Sequence, residues 1–283
     1  EWAVFYMELV PQVALLRHRK GSRIFQGKSA KQIVAQVLEK AGVPGDAFRF
    51  SIQAESEARD YCVQYRESDL NFIERLMEEE GYYYCFEQES EQEVMIIADN
   101  VSAYDPIAED EEIAFHERST LLGDTATIFT FKFSDEIRSD SVTLNDFNFE
   151  KPALSLESVA VADGGGELEF YDHPGRFRKP ETGEYRAGVR LDALSTGKAR
   201  GQGQSDCRNL AVGRTFTLYD HPFDEFNRDY LLIKIRHTGS EPQAMEADAP
   251  ETGGGYDNHF ICIPSEVLFR PRQRAEKPVV QGI

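Results

Sequence analysis

Tyr61 to Phe86, YCVQYRESDLNFIERLMEEEGYYYCF, places a strand pattern, a capped amphipathic helix and an aromatic strand end to end with almost no loop between them. Ser68 stands where an N-cap hydroxyl can accept from free backbone N–H groups, and Asp69 sets negative charge against the positive end of the helix. Leu70, Ile73, Leu76 and Met77 recur at helical spacing, and Gly81 can adopt the left-handed conformation that stops a helix. The pattern predicts a helix of about 12 residues with one apolar stripe to bury. Its polar residues form no converging set of nucleophile, base and oxyanion donor, so the segment reads as scaffold.

The neighbouring sequence extends the same theme. Val4 to Leu16 alternates and then runs apolar, which predicts a strand ending near the basic turn Arg17 to Arg23. Ser29 caps a second helix whose buried stripe is Ile33, Val34, Val37 and Leu38, and Gly42 with Pro44 closes it. Phe48, Phe50 and Ile52 alternate as a strand, and Val94 to Ile97 reads as the hairpin partner of the aromatic strand. From Ile113 to Phe149 the pattern changes to strands: Ile128, Thr130, Phe131 and Phe133 are strand formers, and Val142, Leu144, Phe147 and Phe149 continue the theme with turn residues between them. Asp163-Gly164-Gly165-Gly166 is a loop rather than a phosphate cradle, since no Lys, Ser or Thr and no helix follows it. Ala187 to Cys207 is the next helical candidate, limited by Gly201 and Gly203, and strands return at Thr215–Tyr219, Tyr230–Ile235 and His259–Ile263. The fold class is α+β, mainly antiparallel β, with two or three helices packed on the strands.

Composition removes several function classes. No apolar run approaches the roughly 18 residues that cross a bilayer. A net charge of −19 repels a phosphate backbone, so no nucleic-acid partner is expected. The charge is uneven: Arg17, Arg19, Lys20, Arg23, Lys28 and Lys31 cluster early, whereas Glu78 to Glu80, Glu87 to Glu93 and Glu109 to Glu112 are acidic, and each run alone reads as a solvated face. Cys62, Cys85, Cys207 and Cys262 show no CxxC spacing, and Cys62 and Cys85 read as reduced core residues. Glu1-Trp2-Ala3 lacks the regions of a signal peptide, and the strand-like opening without Met reads as a fragment.

Tyr171-Asp172-His173-Pro174 recurs as Tyr219-Asp220-His221-Pro222. Four ligands from these pairs could in principle serve a metal-dependent hydrolase or a carbohydrate-binding module. Adjacent residues on a strand face opposite ways, however, and Pro after each His marks a strand ending in a turn. His116, His237 and His259 add no HExxH or HxH spacing, and no GxSxG elbow is present. We therefore assign no catalytic, cofactor-binding or metal-binding residues and expect no cofactor and no enzymatic activity.

Tyr65-Arg66-Glu67-Ser68-Asp69, Phe72-Ile73, Leu76 and Glu79-Glu80-Gly81-Tyr82-Tyr83 together resemble the signature of VgrG, the valine-glycine repeat spike family of bacterial type VI secretion, which is similar to the hub of a contractile phage tail baseplate. Cys207-Arg208, Gly213-Arg214-Thr215-Phe216, His221-Pro222, Asn227 and Tyr230-Leu231-Leu232 match the family's next block in order. Asn258 to Phe260, Ile263-Pro264 and Phe269-Arg270-Pro271 match the block leading out of the hub, and Pro278, Val279, Val280 and Gly282 resemble the start of the oligonucleotide/oligosaccharide-binding (OB) barrel that follows.

The resemblance implies two small β-barrel subdomains with an inserted α+β region. On this basis 1–112 is the first hub region, an incomplete barrel plus an insert with helices near 30–41 and 69–80; 113–270 is the second hub region with its barrel; and 271–283 is a linker and the first strand of a truncated OB barrel. Barrel strands are expected before Trp2, and needle, tip contact and any effector domain beyond Ile283. The implied function is structural: a homotrimeric base that docks on the hexameric Hcp tube and carries a cell-puncturing needle under a PAAR-repeat tip. It would assemble with baseplate components in the bacterial cytoplasm, meet a membrane only by puncture, and be secreted to the extracellular space or target cell with any effectors. A phage baseplate hub or related contractile injection particle is the alternative setting.

Overall fold

The computed structural model describes residues 7–54, 56–89, 92–117, 126–240 and 255–279. Internal contacts divide the chain into Glu1–Asp99 with Arg270–Ile283, and Asn100–Phe269.

In the first unit a 3-10 helix, Gln12–His18, precedes β1 (Lys20–Phe25). This corrects the expected strand over Val4–Leu16, of which Val4 to Tyr6 lie outside the described residues. Pro11 at the N-cap fixes φ at −54°, and Val13, Ala14 and Leu16 are buried while Leu15 is exposed, a spacing of three that a 3-10 turn supplies and a strand does not. Of the basic stretch expected as a turn, Arg17 lies in the last turn of the 3-10 helix and Lys20 to Arg23 open β1.

Next come α1 (Ala30–Lys40), β2 (Phe48–Ser51), β3 (Cys62–Ser68), α2 (Asp69–Glu80), β4 (Tyr83–Gln88) and β5 (Glu93–Ala98). Ser29 and Gln32 form a reciprocal capping box at α1, and Gly42 at φ 87° follows its end. Ser68 caps α2 through Asn71 N–H, and Gly81 at φ 71° ends it, as read from the sequence. β1 pairs antiparallel with β3 as a ribbon, while β5 lies between β2, parallel to it, and β4, antiparallel to it. The apolar stripes of α1 and α2 share one core with Phe48, Tyr82, Met95 and Ile97.

The second unit runs β6 (Asp105–Pro106), β7 (Glu112–Ala114), β8 (Ile128–Asp135), β9 (Ser141–Leu144), β10 (Ser158–Val161), β11 (Glu169–Asp172), α3 (Pro180–Ser195), β12 (Ala199–Ser205), β13 (Arg214–Tyr219), β14 (Asp229–Gly239) and β15 (Tyr256–Pro264). Its main sheet has the order β6-β13-β14-β15-β12-β8, with β7 also beside β13. The sheet curls until its ends meet, because Phe115 N–H bonds the Tyr219 carbonyl at 2.8 Å while the next residue, His116, donates to the Ile128 carbonyl at 3.0 Å. Phe131, Phe216, Tyr230 and Phe260 fill the interior. A smaller sheet, β10-β9-β11, packs α3 against Val142 and Leu144.

The helical candidate Ala187–Cys207 is corrected at both ends. Pro180 at the first helical position starts α3 early, and residues 199–205 are strand. Alternate glycines place Gly201 and Gly203 on the inner face of β12, where an added Cβ would lie 2.6 Å from Cys262 Sγ and 2.4 Å from the Phe260 ring. These glycines make room for the aromatic core of the sheet.

Candidate interaction site: the signature ribbon and the chain exit

The signature residues gather where the β1–β3 ribbon turns into α2. Gly21 pairs with Glu67 and Arg23 with Gln64, so Tyr65 and Arg66 together oppose Ser22, a bulge of one extra residue on β3. Arg66 takes φ 52° there, and its N–H donates to Ser22 Oγ at 3.2 Å. The bulge turns the chain so that two carboxylates, Glu67 and Asp69, both enter the interior.

Each buried carboxylate is satisfied. Glu67 receives Arg75 Nη2 at 2.7 Å, Arg75 Nε at 3.4 Å and Asn71 Nδ2 at 2.7 Å. Asp69 receives Gln64 Nε2 at 2.8 Å, Arg19 Nε at 3.2 Å and an Nη2 bond from Arg23. Paired in this way, they avoid the desolvation cost of a lone buried charge. Arg75 also lies 5.3 Å from the centre of the Phe72 ring. At the other end of α2, burial works against the charge of Arg59, but Glu79 and Glu80 outweigh it and hold the guanidinium protonated.

The outer side of α2 grips the segment leading away from the second unit. Asn71 bonds the backbone of Glu276, Glu78 accepts from the N–H groups of Arg274 and Ala275 at 2.9 and 3.0 Å, and Arg270 Nη1 donates to the Gly81 carbonyl at 2.6 Å. Pro278 and Val279 carry no regular structure; Val280, Gly282 and Ile283, the rest of the expected OB start, lie outside the described residues.

The remaining motif residues also hold backbone. Asn227 brackets the His221 main chain with bonds of 2.8 and 3.0 Å, Tyr230 Oη donates to the Phe226 carbonyl at 3.0 Å, and Asn258 Nδ2 to the Cys207 carbonyl at 2.8 Å. His221 Nδ1 accepts from Phe223 N–H at 3.1 Å, and its ring sits 4.4 Å from that of Phe115 and 5.0 Å from that of Phe226. Burial lowers its pKa, which favours the neutral ring of a packed residue. Asp172 ends β11 and Asp220, at φ 60°, follows β13, so both Tyr-Asp-His-Pro runs close a strand in a turn. Among the described residues no group of three or more His, Cys, Asp and Glu is placed to hold a metal ion. All four cysteines are free; Cys62, Cys207 and Cys262 are buried, and burial raises their thiol pKa values, whereas Cys85 is half-buried.

The phage tail baseplate hub (GPD) family matches residues 2–243, and the chain belongs to that family. In an alignment 290 positions long that covers 98% of the chain, it is 34% identical to the type VI secretion system spike protein VgrG4b of Pseudomonas aeruginosa, spanning 36% of that protein. It is 31% identical over 286 residues to the actin cross-linking toxin VgrG1 of Vibrio cholerae, covering 98% of this chain and 25% of the toxin. The chain thus spans about a third or less of the length of these relatives. Its fold is similar, at a TM-score of 0.66 and 22% identity over 96% of this chain and 58% of the other, to an E. coli component of the type VI secretion system described as structurally similar to the T4 bacteriophage tail proteins gp27 and gp5. The VgrG resemblance carried by the motifs therefore extends over nearly the whole chain. Among the described residues no helix is long and apolar enough to cross a membrane.

Proposed function

We propose that this chain is the hub of a type VI secretion spike, a structural part whose activity is shape. In this reading three copies form a ring of six barrel-like halves that docks on the hexameric Hcp tube. The full-length protein carries the puncturing needle and the PAAR-repeat tip, and contraction drives the assembly with its effectors from the bacterial cytoplasm into the extracellular space or a target cell. The regions 1–112, 113–270 and 271–283 are then first hub half, second hub half and the lead into the OB barrel.

The observation that carries this reading is the similarity to VgrG spike proteins across 98% of the chain. The clamp of α2 on residues 270–276 supports it, because a hub must hold firmly the segment through which load passes to a needle. Such an assembly needs an obligate interface of more than about 2,000 Å2. Co-sedimentation of the full-length protein with tubes of Hcp from the same cell tests it: saturable binding supports docking, and no binding by a folded trimer rejects it. The hub family match favours a phage particle as the second setting, and neighbouring genes for phage head proteins instead of Hcp and a secretion sheath would decide for that setting.

A further inference from the structure

Beside the ribbon bulge the first unit carries a groove of about 720 Å3. Four cations line it, Arg17, Lys20, Arg66 and Lys277, with the carboxylates of Glu67 and Glu276. Glu67 is already taken up by Arg75 and Asn71, and Arg17 Nε donates to the Ala14 carbonyl. Lys20, Arg66 and Lys277 are exposed and have no carboxylate partner among the described residues. A chain of net charge −19 has few cations to spare, yet three unpaired ones surround this groove. Arg66 also holds a left-handed backbone conformation that glycine would adopt at less cost, and the side chain that glycine would lack lines the groove.

The second unit presents the matching charge. Asp110, Glu111 and Glu112 are consecutive and exposed, and none has a basic partner among the described residues. Their loop is held in shape by Asn209 Nδ2 on Glu109 Oε2 at 2.8 Å and by Thr217 N–H on the Glu111 carbonyl at 2.8 Å. Among the described residues of the other two acidic runs, Arg59 binds Glu79 and Glu80, the backbone of residues 274 and 275 binds Glu78, and Arg49 binds Glu87 and Glu89.

We propose that the basic groove receives the Asp110–Glu112 loop of a second copy of this chain. The inference rests on the trimeric hub reading. Groove and loop are different surfaces, so the contact is head-to-tail, and repetition about a threefold axis closes it into a ring in which every copy gives and receives once. It also sets opposite charges together where strongly acidic copies would otherwise repel.

The test uses the full-length protein carrying Lys20→Cys and Glu111→Cys together, joined with a short bismaleimide and run on a denaturing gel, beside each single variant. The contact predicts covalent bands of two and three chains from the double variant only. A double variant whose native mass is three chains but whose denatured band stays at one chain overturns the contact and leaves the hub reading intact. Equally strong linkage from either single variant also overturns it. A native mass of one chain for the unsubstituted protein removes both.

Discussion

Asn71 holds Glu276 by both atoms of its amide: Nδ2 donates to the Glu276 carbonyl at 2.9 Å, and Oδ1 accepts the Glu276 N–H at 3.0 Å. A side chain on the first turn of α2 thus pairs with a backbone segment 205 residues away as a neighbouring strand would. Replacing Asn71 by Ala removes both bonds, together with the Nδ2 bond to Glu67, while Glu78 and Arg270 still hold the exit segment. We expect faster amide hydrogen exchange at Glu276 and a loss of about 1–2 kcal/mol of stability. Unchanged exchange at Glu276 would show that the grip carries nothing.

The Glu67–Arg75 pair is inside the protein, with both side chains 7% exposed. Arg75→Met strands a buried carboxylate and should cost about 3–5 kcal/mol, whereas Arg75→Met with Glu67→Leu should recover most of that loss. Urea unfolding of the two variants measures the difference. Equal losses in the single and double variants would mean that Glu67 finds water when Arg75 is removed.

Two glycines should respond in opposite directions to alanine. Gly203→Ala drives a methyl group into the Phe260 ring, itself 2% exposed, and should cost about 1–3 kcal/mol by overpacking. Gly188 lies within α3 with nothing within 4 Å of an added Cβ, so Gly188→Ala should raise stability by about 0.5–1 kcal/mol. Thermal unfolding midpoints give both signs.

His221 couples stability to pH. Its folded pKa lies below the usual 6.5, so the folded state favours the neutral ring. The unfolded chain therefore binds the proton first, and this residue's contribution is complete above about pH 6.5 and is lost as pH falls through the folded pKa. An NMR titration should place the His221 ring midpoint below 6.5, and His221→Gln should flatten the pH dependence of stability in that window. A midpoint above 6.5 would contradict the packing described for the ring.

The parts legible in the sequence are those fixed by neighbours along the chain. Ser68 and Gly81 bracket α2 because capping is local, and Val94–Ile97 pairs with the aromatic strand that closely precedes it in sequence. Gln12–His18 was not legible as a 3-10 turn, since its apolar residues also satisfy an alternating pattern, and only Pro11 hinted otherwise. Gly201 and Gly203 read as limits on a helix because the rings they accommodate come from β8 and β15, remote in sequence. The early cationic cluster divides for a similar reason: Arg19 and Arg23 turn in to Asp69, while Arg17 and Lys20 face the groove. The Asn71–Glu276 grip left no mark in either local sequence.

The central claim is that this chain is one third of a ring. Multi-angle light scattering of the full-length gene product, at several concentrations and moderate salt, measures this directly. The account predicts a mass of three chains that dilution does not change. A mass of one chain at every concentration would contradict it.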